Sequence, residues 1–473
     1  GYFWCPSLLV ACCWYSLSMS RQQRLVLLVG ILASFVAFLD GSVVNVALPA
    51  IAREMSGGLV LQQWVVDAYL ITLGSLILVA GSFSDLFGRK RVMATGLIGF
   101  GVASVLCAIA PTGSFLVGAR ALQGVAGALL VPSSLALIIS NFSGPAQGKA
   151  VGSWTAWTGI AFIIGPLVGG ALVDSSSWRL IFAINIVPIG ATLWLMRLLD
   201  PEKHEHVRNR VDWWGALLCA IGLGAPVYAL IEQTHYGFSS PAIYIPLLVG
   251  VVAFASFLLY ESRVKAPMLP LELFRIRNFW AGNLATVSIY SGLSIATFLL
   301  ALTVQQLGGY SAFQAGMALL PITIIMFLLS PRVGKLAGKF GPRLFMTCGP
   351  IIAAIGFVLL TRLPVSMDYW SHLLPGILLF GVGLSITVAP LTSAVLGSID
   401  SHRAGIASAV NNAVARIAGL LAIAMLGLVT GPVLTMAGVH RGLWCIVGLL
   451  LAGGIISWFG IRNNQMTQGK GKL

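Results

Sequence analysis

Fourteen stretches of this 473-residue chain each carry about 20 mostly apolar residues: 25–50, 61–84, 92–110, 114–140, 148–173, 180–196, 213–231, 242–260, 279–304, 312–330, 344–360, 372–396, 404–429 and 443–461. That is the length a helix needs to cross a bilayer core roughly 30 Å thick. In lipid a segment must satisfy its own backbone hydrogen bonds, so stretches of this length are read as helices. Nothing between them is long enough for a soluble domain. Only 9% of residues are charged, against about 25% in soluble proteins, and the mean hydropathy is +0.93. A cytosolic enzyme, a nucleic-acid binder and a disordered protein are all excluded. The expected class is an all-α membrane protein in contact with membrane lipids.

The net charge of +14 then reads as topology. With the N-terminus inside, 22 Lys and Arg fall in cytoplasmic segments. Four (Arg53, Arg179, Arg362, Arg441) fall outside, and Arg120 and Arg416 lie within spans. Positive charge gathers on the cytoplasmic side, so both termini are expected there, in a bacterial inner membrane. Residues 1–18, within an N-terminal segment 1–24, are apolar and uncharged. Met19-Ser20-Arg21 reads as a normal start, so 1–18 are expected to be upstream or non-native. The seven cysteines have no metal-ligand spacing, and the histidines lie in or beside loops. No Gly-rich nucleotide loop of the G-x-x-x-x-G-K-[ST] form is present, which argues against an ATP-driven pump. No cofactor, metal or enzymatic activity is expected, and the chain is expected to be monomeric.

The segment after the second span, Gly81-Ser-Phe-Ser-Asp85-Leu-Phe-Gly88-Arg89-Lys90-Arg91, aligns without a gap to Gly334-Lys-Leu-Ala-Gly338-Lys-Phe-Gly341-Pro-Arg343, 253 residues later. That offset is six spans plus two. The organisation reads as a six-helix bundle (25–196), a linker with two extra spans (197–278), a second six-helix bundle (279–461) and a tail (462–473). Internal repeats of this kind mark secondary transporters, whose path lies between the halves.

These residues resemble the major facilitator superfamily. Gly81, Asp85, Gly88, Arg89, Lys90 and Arg91 are similar to its loop signature. Arg120-Ala-Leu-Gln123-Gly124 is similar to its arginine motif, and Gly165-Pro166-Leu-Val-Gly169-Gly170 to its antiporter motif. Leu39-Asp40-Gly-Ser-Val-Val-Asn45-Val-Ala-Leu-Pro49 resembles the signature of the fourteen-helix drug:proton antiporter branch. The resemblance covers residues 20–465 and implies the major facilitator fold, two six-helix bundles with a two-helix insert. It also implies a cytoplasmic latch at Asp85 and the basic triplet, and a leak seal at Gly165–Gly170. Two departures stand out: Gly338 replaces the acid in the second loop copy, and Ala161 stands where many members have Gly.

By these span limits only two of fourteen carboxylates, Asp40 and Asp67, lie inside the membrane. Ionisable groups there are costly and are functional candidates by default. At 1.5 Å per residue, Asp67 and Arg120 lie about 10 Å below the outer end, and Asp40 about 15 Å below it. The three are read as one proton-coupling slab with Arg120 as partner to both acids; a static ion pair or a cation site is the plainer alternative. The second half has Leu293, Leu320 and Leu373 at the same offset. Arg416 is expected to be a packing cation satisfied by backbone carbonyls. Asn45, Trp154, Trp157, Asn283, Tyr290, Gln305, Asn411 and Asn412 are the candidates for a cavity that takes apolar or cationic ligands through stacking and cation–π contacts. The function expected is export of small lipophilic or monocationic compounds in exchange for protons, as in multidrug and antibiotic efflux. A dedicated exporter of a metabolite or lipid, and a non-transporting scaffold or sensor, are the alternatives.

Overall fold

A computed structural model describes residues 19–142, 144–200, 212–264, 267–364, 366–399 and 404–463. Fourteen helices in it are long and apolar enough to span a membrane: Arg21–Glu54, Gly58–Ile77, Arg89–Ala108, Gly113–Asn141, Lys149–Ser175, Leu180–Arg197, Trp213–Tyr236, Pro241–Glu261, Arg277–Leu307, Ala312–Phe340, Pro342–Leu360, Tyr369–Leu396, Ile406–Thr430 and Met436–Gly460. No strand occurs among the described residues. Segment 1–18, with Cys5, Cys12 and Cys13, lies outside them, as does the tail from 464.

The count agrees with the hydropathy reading, and the boundaries move for local reasons. The first span starts at Arg21 and not at 25, because Ser20 and Gln23 form a reciprocal capping box that satisfies otherwise unpaired first-turn amides. The second helix continues to Phe87, so Gly81–Phe87 are its last turns, where a loop was expected. The chain then turns at Gly88, whose φ of +90° is open to glycine at little cost. Its repeat counterpart Gly341 has φ +86° and separates the tenth and eleventh spans in the same way. The internal repeat is thus a repeat of backbone conformation. The fifth span is interrupted after Gly159. There the Thr158 hydroxyl donates back to the carbonyls of Trp154 and Thr155, an alternative to regular helix bonding.

Two bundles result. In the first, the first span packs on the fourth and fifth, and the fourth packs on the second and third. In the second, the ninth packs on the thirteenth and fourteenth, the eleventh on the twelfth and fourteenth, and the tenth on the twelfth. The bundles meet along two seams, second span to thirteenth and fifth to tenth. The seventh and eighth spans form a hairpin docked through the seventh onto the second and thirteenth. Trp64 Nε1 fastens it, donating to Glu232 at 2.8 Å.

Lipid supplies no hydrophobic drive between helices, so close approach depends on small residues. A Cβ on Gly383 of the twelfth span would lie 2.5 Å from the Ala353 nitrogen of the eleventh. One on Gly222 of the seventh would lie 2.9 Å from Phe254 Cα of the eighth. Large apolar side chains such as Val187, Leu248 and Phe459 point outward and are well exposed. That is the inverse of a soluble surface and suits a lipid environment.

Candidate functional site

The buried polar centre lies inside the first bundle, around Asp40 in the middle of the first span. Asp40 is 0% exposed. Its Oδ2 accepts from Arg120 Nη1 at 2.5 Å. Its Oδ1 accepts from Gln123 Nε2 at 2.9 Å and from Asn185 Nδ2 at 3.1 Å. Arg120 also donates to Gln123 Oε1 at 2.6 Å and, through Nε, to the Val65 carbonyl at 2.9 Å. Ser104 Oγ accepts from both Gln123 and Asn185. The guanidinium lies over the Tyr69 ring, 4.4 Å from its centroid, with Phe182 at 5.7 Å.

Helical periodicity makes this possible. Arg120 and Gln123 are three residues apart on the fourth span and so share a face. Asn185 reaches in from the short break between Leu180–Ala183 and Ile186–Arg197 in the sixth span. Five spans therefore meet on one carboxylate and one guanidinium. A buried ion pair is held only where further hydrogen bonds satisfy what remains; the two amides and Ser104 meet that need.

Asp67 is placed differently from the slab reading. It is also 0% exposed, but neither carboxylate oxygen has a hydrogen-bond partner among the described residues. The Arg120 donors named above are held by Asp40, Gln123 and the Val65 carbonyl, so Arg120 partners one acid and not both. Arg416 departs from expectation too. Among the described residues no backbone carbonyl takes its guanidinium, and its Nε is buried without a partner; Tyr69 is its electrostatic neighbour. A third acid joins the buried set: Glu261, at the end of the eighth span, is 2% exposed and accepts from the Leu269 amide at 2.9 Å. Glu232 lies within the seventh span, which runs on to Tyr236.

The antiporter segment sits where three helices touch. A Cβ on Gly165 would lie 1.9 Å from Ser42 Oγ, and one on Gly169 2.2 Å from Val43 Cγ2, both on the first span. One on Gly170 would lie 2.5 Å from Phe313 Cα of the tenth, and one on Gly316 2.4 Å from the Pro166 carbonyl. Glycine at these positions lets the fifth span pack against its own bundle and the opposite one at once. At the loop signature, the side-chain surroundings of Gly81 and Asp85 lie outside what is described. Lys90 donates to the Leu199 carbonyl at 2.9 Å, and Arg91 is exposed.

Among the eight cavity candidates, a hydrogen bond joins one pair. Asn411 donates to Asn283 Oδ1 at 3.1 Å and to Thr286 Oγ1 at 2.9 Å, tying the thirteenth span to the ninth. Trp154 donates to Ser34 at 3.1 Å, and Trp157 is 53% exposed. Asn45 and Tyr290 are half-buried and Asn412 is exposed. Gln305 lies in a π-turn with its amide nitrogen buried and unpartnered. Two surface cavities of about 460 and 500 Å³ contain none of the eight. Sequence reasoning left out Asn185, Ser104 and Tyr69 altogether and used Gln123 only as part of a motif. A polar residue isolated in an apolar span was the signal available for Asn185.

Two helical bundles, fourteen membrane-length helices and a charged pair buried within one bundle define a multi-pass membrane protein of the transporter class. Residues 30–423 match the model of the Major Facilitator Superfamily, and the chain belongs to that family. It is 34% identical over 457 residues to the puromycin resistance protein pur8 of Streptomyces alboniger, covering 91% of this chain and 90% of that protein. Identity is also 34% to the multidrug resistance protein Stp of Mycobacterium tuberculosis (strain CDC 1551 / Oshkosh), covering 86% and 76%. The methylenomycin A resistance protein of Bacillus subtilis (strain 168) is again 34% identical, covering 85% and 87%. Among solved structures, a bacterial homologue of the human lysosomal transporter Spinster superposes with a TM-score of 0.68 at 14% identity, covering 94% of this chain and 98% of that one. The xylose transporter XylE of E. coli gives 0.65 at 15%, covering 93% and 97%. These relatives are transporters and resistance proteins, not enzymes.

Proposed function

We propose that this protein exports small lipophilic or monocationic compounds, antibiotics and other drugs among them, in exchange for protons. The resistance proteins of similar sequence support the efflux part. The observation that carries the proton part is Asp40, wholly buried, with Arg120 and two amides gripping its ionised form. A proton on Asp40 removes one charge of the pair and leaves Arg120 to seek another partner. A buried charge cannot stay unpaired cheaply, so protonation favours a rearranged bundle, and loss of the proton favours the arrangement described here. Such a two-state element, biased by both proton and substrate, is what exchange requires.

In this reading Asp40 carries the proton, Arg120 is its counter-charge, and Asp67, buried and unpartnered, is a second protonatable group. Gly165, Pro166, Gly169 and Gly170 seal the path against leak. Gly81, Asp85, Gly88 and Arg89–Arg91 form a conformational latch at the cytoplasmic end, with both termini on that side. The protein works as a monomer of two bundles, 25–196 and 279–461, around the 197–278 insert. The names of the puromycin and methylenomycin A resistance proteins favour a second reading, in which one dedicated compound is the cargo.

The test is transport in everted membrane vesicles under an imposed proton gradient, with ethidium and a small panel of other compounds. Wild type should concentrate ethidium only while the gradient lasts, and Asp40→Asn should not. Accumulation indifferent to the gradient overturns proton coupling, and dependence on ATP overturns the class.

A further inference from the structure

The two seams between the bundles are each fastened near the same end, the one the basic-residue count assigns to the outside. On the seam of the second and thirteenth spans, Gln63 Nε2 donates to the carbonyls of Ile423 at 2.6 Å and Ala424 at 3.3 Å. On the seam of the fifth and tenth, the fastening is charged. Asp174, in the last turn of the fifth span, accepts from the Ala312 amide through Oδ1 at 3.0 Å and from the Phe313 amide through Oδ2 at 2.8 Å.

Those amides open the tenth helix, and first-turn amides have no acceptor within their own helix. The third is satisfied locally, since Gln314 N donates to Ser311 Oγ at 3.2 Å. The first two are left to a carboxylate from the other bundle. That carboxylate also lies at the positive end of the helix dipole. Gly170, one turn back on the fifth span, lets the helices meet closely enough for Asp174 to reach: a Cβ there would lie 2.7 Å from the Phe313 nitrogen itself.

We propose that Asp174 is the charged latch of this seam, holding the two bundles together at one end and letting go when that end opens. The role deepens the proposed export by a two-state exchanger, in which the bundles open at one end and then at the other (alternating access), and rests on it. Opening moves the tenth helix off the fifth, so both hydrogen bonds and the charge–dipole contact are lost together, while the Ser311–Gln314 capping box travels with its helix. Asp174 is a positioning residue: it sets the balance between closed and open states and touches neither cargo nor the Asp40 pair.

The test uses the full-length protein in nanodiscs, in a background with its native cysteines replaced, spin-labelled at Ser176 and Met317. Both positions are exposed and stand on opposite sides of the seam. A control pair, Ser114 and Ser176, lies within the first bundle. Asp174→Ala should raise the ratio of long to short Ser176–Met317 distances about fivefold, and Asp174→Asn, which keeps one acceptor but no charge, about twofold. The control distance should stay fixed. In vesicles, Asp174→Ala should raise the apparent KM for ethidium, by at most that factor, with kcat nearly unchanged, because the binding-competent state is less populated. Unchanged Ser176–Met317 distances in Asp174→Ala overturn the latch, and so does an equal change in the control pair. The distances need no transport. A shift in a protein that exports nothing leaves the latch standing and removes the export reading; export by wild type with no shift does the reverse.

Discussion

At the scale of single residues, the Asp40 centre separates charge from geometry. Asp40→Asn keeps size and hydrogen bonding but removes the titrating group, so proton-driven efflux should vanish while some ligand binding persists, measured as ethidium binding to purified protein. Arg120→Ala strands a buried acid and should cost about 3–5 kcal/mol, seen as loss of folded protein in a thermal melt. Arg120→Lys keeps the charge but not the planar fork that engages Asp40, Gln123 and the Val65 carbonyl together, so it should rescue only partly. Asn185→Leu removes one hydrogen bond to a charged group, worth about 1.5–3 kcal/mol. It should slow proton-driven efflux while the protein still folds; wild-type efflux would reduce Asn185 to a packing residue. How legible this centre is differs by residue. Asp40 and Arg120 stand out because charge in an apolar span is conspicuous. The separation of Asp67 from Arg120 is not legible, since depth along a helix says nothing about the direction a side chain takes around it.

At the scale of elements, hydropathy recovers all fourteen spans because lipid imposes one period and one length. It fails at their ends, where Ser20 and Gln23 cap the first helix early and where the second helix absorbs the loop motif up to Phe87. Those outcomes depend on single capping and turn residues that an average over twenty positions cannot register. The paired turns at Gly88 and Gly341 offer a test. Alanine is strained in this positive-φ, extended-ψ conformation by about 1–3 kcal/mol, so Gly88→Ala and Gly341→Ala should both lower thermal stability. Gly341→Ala should lower it by more than this strain alone, because a Cβ there would also meet the Asn463 side chain. A melting temperature for Gly341→Ala that does not change when Asn463 is also replaced by Ala would show that Asn463 swings aside. At the seam, Gly170→Val should force the fifth and tenth spans apart and cost about 1–3 kcal/mol by overpacking. The same labels used for Asp174 would report it as a longer Ser176–Met317 distance.

At the scale of the whole molecule, two expectations follow from how charge is distributed. With basic residues gathered inside, a cysteine at 236–239, in the turn of the insert hairpin, should label only from outside, and one at 268–274 only from the cytoplasm. Labelling from the opposite sides would invert the assignment and move the Asp174 latch to the cytoplasmic end. The second expectation concerns what the protein can carry. The buried acids among the described residues are Asp40, Asp67 and Glu261, and they are not equivalent. Glu261 lies in the insert, fastened to the Leu269 amide, and Asp40 is gripped on both oxygens. Only Asp67 has both oxygens without partners, and the matching positions of the second half are leucines. A rigid dication would need two acids at once, leaving none to exchange a proton. A neutral or singly charged lipophile needs one at most. Ethidium should therefore be exported faster than rigid dications of similar size, and Asp67→Asn should narrow that difference by depressing export of monocations while sparing neutral compounds. Rates are to be compared in the same everted vesicles at equal gradient. If dications leave as fast as ethidium, the cargo does not rely on these acids. If Asp40→Asn still concentrates ethidium against its gradient, the proton path runs through Asp67 instead.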